Sequence, residues 1–368
     1  MNELKLTGLT KYFGDFAAVR DVDLTVKPDE VLCLLGPSGC GKTTTLRMIA
    51  GLESATQGAV YFGDRDVTHL PARDRDVAMA FQFYALYPDL TVGQNLAYPL
   101  QAEAPTPAES ADRLARIAEI LQLTEVLDRY PHQLSEGEKQ RVAVGRCVIR
   151  APNAFLFDEP LSRLDAKLRD EMRGSIRKIL ATLDRPTVIV THDQLEAMTM
   201  GDRIAVMRDG KVEQIGRPLD VFERPANIFV AGFIGTPQMN LLKGRCLAVN
   251  DTGLEVDLSG QMIRLPSGPF ATLPQTGAEV TLGFRPRAAA RAQDDAVSLQ
   301  AARVFLSENM GAETLVHSDW NGQNLRVLAH GPGHPEGQVH DVQVDPADLT
   351  LFGADGIRIT RKSDKEAA

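Results

Sequence analysis

Short apolar runs separated by helical patterns recur from the N-terminus to about residue 240. Runs of this length without polar alternation are typical of strands that are covered on both faces. Leu164, Leu168, Met172, Ile176 and Leu180 recur every four residues, which predicts an amphipathic helix. This alternation predicts an α/β domain with a largely parallel sheet. The four clearest strand candidates are VLCLL (31–35), VAMAF (77–81), AFLF (154–157) and TVIV (187–190).

Three further segments complete the predicted organisation. RIAVMRDGKVEQIG (203–216) has the alternation and the Asp-Gly turn of a β-hairpin. Residues 88–150 interrupt the strand rhythm with QAEAPTPAES (101–110) followed by helical spacing, which indicates an inserted helical subdomain. Beyond about residue 240, short alternating runs are separated by the turn signals DTG, SGQ and NG, which predict a small all-β domain of barrel type. We therefore predict a first domain over 1–235 and a second over 236–368.

Composition narrows the functional classes. A chain of 368 residues with 43% apolar and 24% charged residues is long enough for two globular domains. Its net charge of -9 argues against a nucleic-acid partner, which would require clustered lysine and arginine. The four cysteines form no CxxC pair, which favours a reducing, cytoplasmic setting. The N-terminus lacks the apolar core of a signal peptide, and the longest charge-free run, 225–242, is too polar to cross a bilayer. A membrane role would therefore depend on a partner.

A glycine-rich segment after the first predicted buried strand matches G-x-x-x-x-G-K-[ST]. Glycines allow backbone N–H groups to curl around phosphates, and the helix that follows adds a favourable dipole. Lys42 is expected to contact the β- and γ-phosphates, and the Thr43 hydroxyl is expected to bind Mg²⁺. The predicted nucleotide-binding residues here are Gly36, Pro37, Ser38, Gly39, Cys40, Gly41, Lys42, Thr43 and Thr44.

Two later strand ends carry candidate catalytic groups. AFLF ends in Asp158 and Glu159, and TVIVT ends in His192. The carboxyl edge of a parallel sheet is where ligands bind, so these side chains are expected beside the phosphates. Asp158 would hold Mg²⁺ through a water, Glu159 would act as the general base, and His192 would sense the γ-phosphate.

LSEGEKQR (134–141) resembles the LSGGQ signature of ABC (ATP-binding cassette) ATPases. Ser135 and Glu138 also read as a capping box that opens a helix through Arg150, and both interpretations can hold. The resemblance implies a P-loop NTPase fold with a mixed sheet and a helical subdomain. It also implies that Ser135 and Gly137 contact ATP held by the opposite subunit of a dimer.

Other matches to this family follow in its order. They imply adenine stacking by Tyr12, binding of Mg²⁺ and the attacking water by Gln82, and a contact across the dimer by Asp165. Residues 196–240 resemble the ATPase subunits of maltose-type and glycerol-3-phosphate-type importers, which carry a C-terminal OB-like (TOBE-type) regulatory domain. The resemblance implies an ATP- and Mg²⁺-dependent ATPase at the cytoplasmic face of the inner membrane. Its partners would be permease subunits, through them an extracytoplasmic solute-binding protein, and a second copy or a paralogous ATPase.

The sequence also departs from the family pattern. Glu136 and Glu138 stand where glycine and glutamine are usual, Phe83 replaces an asparagine, and Arg163 stands where a small or amide residue is common. Two extra carboxylates should weaken the contact with nucleotide unless they face away from it. Two alternatives stay open: a soluble ABC ATPase that acts on nucleic acid or in translation, and an ATPase whose tail regulates a partner.

Overall fold

The computed structural model describes residues 3–81, 83–103, 105–162, 164–181, 184–250, 253–266, 270–290 and 296–362. Its contacts divide the chain into a first unit, Met1–Asp220, and a second unit, Val221–Ala368. In the described part of the chain, no helix is both long and apolar enough to span a membrane.

The first unit contains two sheets. One is antiparallel with the order β2-β1-β4-β5, and the other has the order β10-β9-β3-β8-β7-β6. Within the second sheet all neighbours pair in parallel except the β9–β10 hairpin. The strands are β1 (Leu4–Phe13), β2 (Phe16–Val26), β3 (Val31–Leu35), β4 (Gln57–Phe62), β5 (Arg65–Asp66), β6 (Val77–Ala80), β7 (Ala154–Asp158), β8 (Thr187–Thr191), β9 (Arg203–Arg208) and β10 (Lys211–Gly216).

The helices of the first unit connect these strands. Three of them begin with a reciprocal capping box, at Thr91, Thr106 and Ser135, and all three lie within the segment predicted to be a helical subdomain. The helices are α1 (Lys42–Ala50), α2 (Ala72–Arg75), α3 (Val92–Ala97), α4 (Pro107–Ile120), α5 (Glu136–Val148), α6 (Ala166–Leu180) and α7 (Gln194–Met200). Short 3-10 turns cover Tyr98–Ala102, Thr124–Val126 and Pro131–Gln133.

The central strands are apolar because both of their faces are covered. Every residue of β3, β7 and β8 is buried. The two sheets share one core, in which leucines of β1 such as Leu4 and Leu6 pack with Leu32 and Leu34 of β3. The predicted parallel sheet, amphipathic helix and hairpin are therefore confirmed. The ends differ slightly: α5 stops at Val148 rather than continuing through Arg150, since Pro152 disfavours helical backbone just before it.

The second unit is a β structure built from two antiparallel sheets, with the orders β13-β12-β11-β14-β19 and β17-β16-β15-β18. Their inner faces share a core that includes the fully buried Trp320. At one corner the Asn240 side chain joins the sheets, since it donates to the Arg326 carbonyl (2.8 Å) and accepts from the Arg326 N–H (2.7 Å). The strands are β11 (Asn240–Asn250), β12 (Gly253–Leu258), β13 (Gln261–Leu265), β14 (Glu279–Phe284), β15 (Val297–Asn309), β16 (Glu313–Trp320), β17 (Gln323–His330), β18 (Val339–Val344) and β19 (Thr350–Phe352).

Two short helices, α8 (Pro218–Glu223) and α9 (Ile228–Phe233), precede β11, and 3-10 turns cover Ala288–Ala290 and Pro346–Asp348. The contacts of α9 place it in the second unit. Ala231 of α9 packs on Met239 and Phe352, and the Ile228 N–H donates to the Gly356 carbonyl. The change of unit at Asp220 thus precedes the predicted domain boundary at 235, because these apolar helix residues are buried against the β structure.

Candidate active site

The phosphate loop leaves the buried strand β3 and leads directly into α1. Its glycines are required by close packing of the backbone. A Cβ on Gly36 would lie 2.3 Å from the carbonyl oxygen of Met207, and a Cβ on Gly41 would lie 2.5 Å from that of Ala18. Gly41 also has a φ of 104°, in the region that side chains disfavour. The loop is therefore shaped by backbone contacts that only glycine permits.

Lys42 is buried and folds back over this loop. Its Nζ donates to the carbonyl oxygens of Gly36 (2.7 Å) and Pro37 (2.9 Å) and lies 3.7 Å from the Cys40 Sγ. The ammonium group therefore stands at the loop itself and is satisfied by neutral acceptors. Phosphate oxygens carry full charge and would be stronger acceptors for the same group.

A cavity of about 370 Å³ opens at this loop. It brings together eight of the residues that the sequence predicts to act on nucleotide, from three segments that are distant in the chain. From the first unit it is lined by Phe13, Phe16, Ala18, Ser38, Gly39, Gly41, Lys42, Thr43, Thr44, Glu159 and His192. Phosphate loop, carboxylate and histidine thus share one cavity.

The aromatic wall of this cavity is Phe13 and Phe16, and Tyr12 is not among its lining residues. In β1 and β2, Phe13 pairs with Phe16, whereas Tyr12 pairs with Ala17. Successive side chains of a strand point to opposite faces, so the one-residue difference decides which ring faces the cavity. Phe13 is therefore the aromatic residue of β1 at the cavity, and adenine stacking by Tyr12 stays a prediction. The signal was present in KYFGDF, which offers three aromatic residues within five positions.

Thr43, which lines the cavity, places its hydroxyl beside the carboxylate of Asp158. The Thr43 Oγ1 donates to the Asp158 Oδ1 at 3.1 Å. Burial raises the pKa of Asp158, while the hydrogen bond from Thr43 and the nearby cations Arg47 and Lys42 lower it. A hydroxyl and a carboxylate are the hard oxygen donors that suit Mg²⁺. These two side chains therefore fit the metal that the phosphate loop implies.

Glu159 follows Asp158 with a positive φ of 52°, a strained conformation for a residue with a side chain. The backbone holds it there: its N–H donates to the Val190 carbonyl at 2.9 Å. Its carboxylate Oε1 lies 3.0 Å from the Nδ1 of His192. The carboxylate can accept a proton at the cavity, and the imidazole beside it is oriented by the same contact.

His192 lies on a turn that is closed by a chain of hydrogen bonds. The Thr191 hydroxyl donates to the Glu196 Oε2 (2.7 Å) and accepts from the Asp193 N–H (3.0 Å). The Asp193 side chain in turn accepts from the Glu196 N–H (3.1 Å). Burial raises the pKa of Glu196 to about 7. Glu196 was not predicted from the sequence. The helical spacing of α7 was the available signal, because it places Glu196 on the buried face of the helix.

The three residues predicted to act across a dimer do not line the cavity of their own chain. Ser135 caps α5, and its N–H and hydroxyl both donate to the Glu138 carboxylate (2.7 and 2.8 Å). Asp165 caps α6 by accepting from the Leu168 N–H at 3.0 Å. A Cβ on Gly137 would lie 3.2 Å from side-chain carbons of Leu164 and Leu168, so glycine allows α5 to approach that segment closely.

The unusual carboxylates of the signature are engaged within their own helix. Glu138 completes the capping box, and Glu136 pairs with Lys139 at 2.8 Å. Because each carboxylate already has a donor, their charge is partly compensated where they stand. Gln82 and Arg163 lie outside the described residues, so the predicted role of Gln82 stays a prediction. Phe83, next to Gln82, is 72% exposed.

Two family models match the chain. The model for the ABC transporter family matches residues 19–162, and the model for the MalK OB fold domain matches residues 235–288. A trehalose/maltose import ATP-binding protein, MalK, from Thermococcus litoralis is 47% identical over 331 residues, which cover 86% of this chain and 88% of the relative. The chain belongs to the ABC transporter family.

Further relatives agree with this assignment. The sn-glycerol-3-phosphate import ATP-binding protein UgpC 1 from Rhizobium johnstonii is 43% identical over 360 residues, which cover 98% of this chain and 96% of the relative. Among solved structures, a dimeric ATP-binding cassette in a post-hydrolysis state bound to ADP and phosphate aligns with a TM-score of 0.54. It is 31% identical and covers 58% of this chain and 98% of its own. The predicted P-loop fold, the OB-like second domain and the ABC ATPase activity are confirmed.

Proposed function

We propose that this ABC ATPase energises uptake of a carbohydrate, polyol or glycerol-phosphate-type solute through partner permease subunits. Two relatives of high identity and coverage are a trehalose/maltose import ATP-binding protein and an sn-glycerol-3-phosphate import ATP-binding protein, which supports this solute class. The observation that carries the proposed chemistry is the single cavity that gathers Lys42, Thr43, Glu159 and His192. The permease would meet an extracytoplasmic solute-binding protein on its other side.

The phosphate loop and the aromatic wall bind ATP. Amides of the loop and the Lys42 ammonium hold the phosphates, and Phe13 stacks on the adenine. Thr43 and Asp158, together with Gln82, would hold Mg²⁺, which would neutralise part of the phosphate charge. The hydrogen bonds from Lys42 to the carbonyl oxygens of Gly36 and Pro37 hold its ammonium group beside the loop.

Glu159 removes a proton from the attacking water as the water oxygen bonds to the γ-phosphorus. The bond between that phosphorus and the bridging oxygen then breaks, and ADP leaves with the electron pair. His192 contacts Glu159 and the transferred phosphate, so it fixes the direction of the carboxylate. The positive φ of Glu159 supports this role, since strained residues cluster where a side chain must point to substrate.

Two ATPase chains close on two nucleotides in this proposal. Ser135, Gly137 and Asp165 contact nucleotide of the partner, which is consistent with their positions outside the cavity of their own chain. The partner is a second copy or a paralogous ATPase, and the altered signature at Glu136 and Glu138 motivates the paralogue. Purification of the native transporter decides between them: one kind of ATPase chain rejects the paralogue.

The Glu159→Gln variant tests the proposed base. Glutamine preserves the size and the contact with His192 but cannot accept the proton, so we expect ATP binding to persist and turnover to fall at least about 100-fold. Glu119→Gln on the exposed part of α4 is the control. Equilibrium binding of a fluorescent ATP analogue and steady-state phosphate release measure the two quantities. Hydrolysis by Glu159→Gln at the wild-type rate would contradict the assignment.

A further inference from the structure

The second unit contains a cavity of about 530 Å³ that is lined by its own residues alone. Its wall comes from five separate stretches of the chain: 222–224, 236–239, 285–288, 347–351 and 358–361, with Leu328 between them. This volume is in the range of cavities that bind small organic molecules.

Positive side chains predominate in the wall of this cavity. Two carboxylates, Glu223 and Asp348, are present among the lining residues. Against these two stand five arginines: Arg224, Arg285, Arg287, Arg358 and Arg361. Even when the Glu313 carboxylate that pairs with Arg287 is counted as well, cations outnumber carboxylates here, in a chain with a net charge of -9, so the cavity favours an anion.

Arg285 is held in the wall by hydrogen bonds to backbone carbonyls, with no carboxylate among these acceptors. Its guanidinium donates to the carbonyl oxygens of Phe222 (2.6 Å), Ala231 (3.2 Å) and Ile234. It lies 4.1 Å from the centre of the Phe222 ring, and its Nε is buried without a hydrogen-bond partner within the described structure. These three acceptors are neutral carbonyls, so the hydrogen bonds fix the group without neutralising it.

The protonation of Arg285 agrees with this geometry. Burial lowers the pKa of Arg285 to about 10, and no carboxylate contributes to the shift. The group therefore remains charged at neutral pH, in an environment that disfavours charge. An anion in the cavity would supply the missing counter-charge.

Two other arginines extend the positive wall. Arg361 donates to the carbonyl oxygens of Pro346 (2.8 Å) and Leu349 (2.5 Å). Arg287, whose side chain is more than half exposed, pairs with Glu313 at 2.8 Å. Apolar side chains between these cations, including Met239, Leu328 and Leu351, give the cavity an apolar wall as well.

We propose that this cavity of the second unit binds a small organic anion, with a phosphate-monoester or carboxylate group among the arginines and an apolar body against the leucines. The guanidinium group suits both oxyanions, because its planar donors can bond two oxygens at once. This binding is separate from the proposed ATP hydrolysis, since none of the residues involved lines the nucleotide cavity.

Calorimetric titration of the full chain tests the proposal. The probes are phenyl phosphate and benzoate, which carry the two candidate anions, and phenol, which carries none. All titrations use the Lys42→Ala background, so that the phosphate loop does not take up the phosphate probe. We expect at least one anionic probe to bind with a dissociation constant below about 1 mM, and phenol to bind at least about tenfold more weakly.

Arg287→Gln in that background should weaken binding of the anionic probe about tenfold or more, because it removes a cation without touching the carbonyl contacts of Arg285. Arg264→Gln is the matched control, since Arg264 also forms a surface pair, with Glu255 at 2.6 Å, and does not line the cavity. Arg285→Lys provides a second variant that retains the charge but loses the planar donors.

The results that support the proposed anion site differ from those that would reject it. Binding that is weakened by Arg287→Gln and unchanged by Arg264→Gln supports the cavity, and the stronger of the two anionic probes identifies the preferred oxyanion. Absence of binding by both probes, equal binding of phenol, or binding that ignores both Arg287→Gln and Arg285→Lys would overturn the proposal. Loss of ATPase activity in Lys42→Ala concerns the phosphate loop alone and leaves this result unaffected.

Discussion

The nucleotide cavity and the arginine-lined cavity offer positive charge to an anion in different ways. In the first unit, the phosphate loop relies on backbone amides shaped by Gly36 and Gly41, with one ammonium group from Lys42. In the second unit, guanidinium groups such as Arg285 stand in the wall and are held by backbone carbonyls. A loop of amides requires a short contiguous segment, whereas a wall of arginines can be assembled from distant segments.

The two units also differ in how a buried ionisable group can lose its charge. Burial raises the pKa of Glu196 in the first unit to about 7, so this carboxyl group can take up a proton near neutral pH. Burial lowers the pKa of Arg285 in the second unit to about 10, so this group stays positively charged at the same pH. A buried acid can relieve its desolvation by taking up a proton, whereas a buried arginine needs an external counter-ion. This difference is why, beyond the nucleotide and metal of the first unit, we infer a further ligand only for the second unit.

The largest effect on ATP binding is expected from Gly36→Ala, which disturbs the backbone of the phosphate loop. Its Cβ would lie 2.3 Å from the Met207 carbonyl oxygen, so the loop must shift. We expect ATP affinity to fall on the order of 100-fold or more, with binding to the second-unit cavity unchanged. Gly39→Ala is the comparison within the same loop, because its Cβ meets no protein atom within 4 Å, so a loss there comes from its positive φ of 79° or from contact with the nucleotide. Equal losses in both variants would show that collision with the Met207 carbonyl is not the cause.

Glu196→Gln tests the buried acid. The folded-state pKa of about 7 lies above the ordinary value of 4.5, so the wild type should lose stability as pH rises between these values. Glutamine stays neutral, and we expect the variant to be more stable at pH 8 by up to about 3 kcal/mol, with little difference below pH 4.5. Thermal unfolding of the first unit across this pH range measures it, with Glu171→Gln as control. Parallel pH profiles of variant and wild type would contradict the prediction.

Phe13→Ala and Tyr12→Ala together test which aromatic residue stacks on adenine. Loss of a stacking ring should raise the dissociation constant for ATP about tenfold in Phe13→Ala. Tyr12→Ala should change it less than about twofold, since Tyr12 does not line the cavity. Fluorescence titration with an ATP analogue gives both values. The opposite ranking would restore Tyr12 as the stacking residue.

The smallest effect is expected from Gly174→Ala in α6, which shows what a glycine contributes where no close contact requires it. A Cβ there meets nothing within 4 Å, so alanine should stabilise the helix by about 0.5–1 kcal/mol. Gly145→Ala in α5 should instead destabilise, because its Cβ would lie 2.5 Å from the Leu96 side chain. Urea unfolding of both variants measures the contrast, and a destabilised Gly174→Ala would contradict it.

Much of the first unit was predictable because its signals are local. Residues 36–44 carry the phosphate site within one segment, and Asp158, Glu159 and His192 each end an apolar run that reads as a strand. The sheet edge then brings these strand ends together, which is a property of parallel topology rather than of the residues themselves. The cavity shared by Lys42, Glu159 and His192 follows from this rule.

Other features could not be predicted because they depend on register or on long-range assembly. The choice of Phe13 over Tyr12 follows from which face of β1 meets the loop, and a shift of one residue reverses it. The position of α9 in the second unit depends on its packing with Phe352, over a hundred residues later. The arginine cavity has no motif, because its wall comes from five separate stretches.

The bonds between Lys42 and the carbonyls of Gly36 and Pro37 mean that an entering nucleotide competes with the loop for its own cation. The net binding free energy is then that of the new phosphate interactions less that of the two hydrogen bonds that must break. A triphosphate brings more charged oxygens to that exchange than AMP or adenosine does. The folded-back lysine thereby makes the binding free energy depend on the number of phosphate oxygens that a ligand offers.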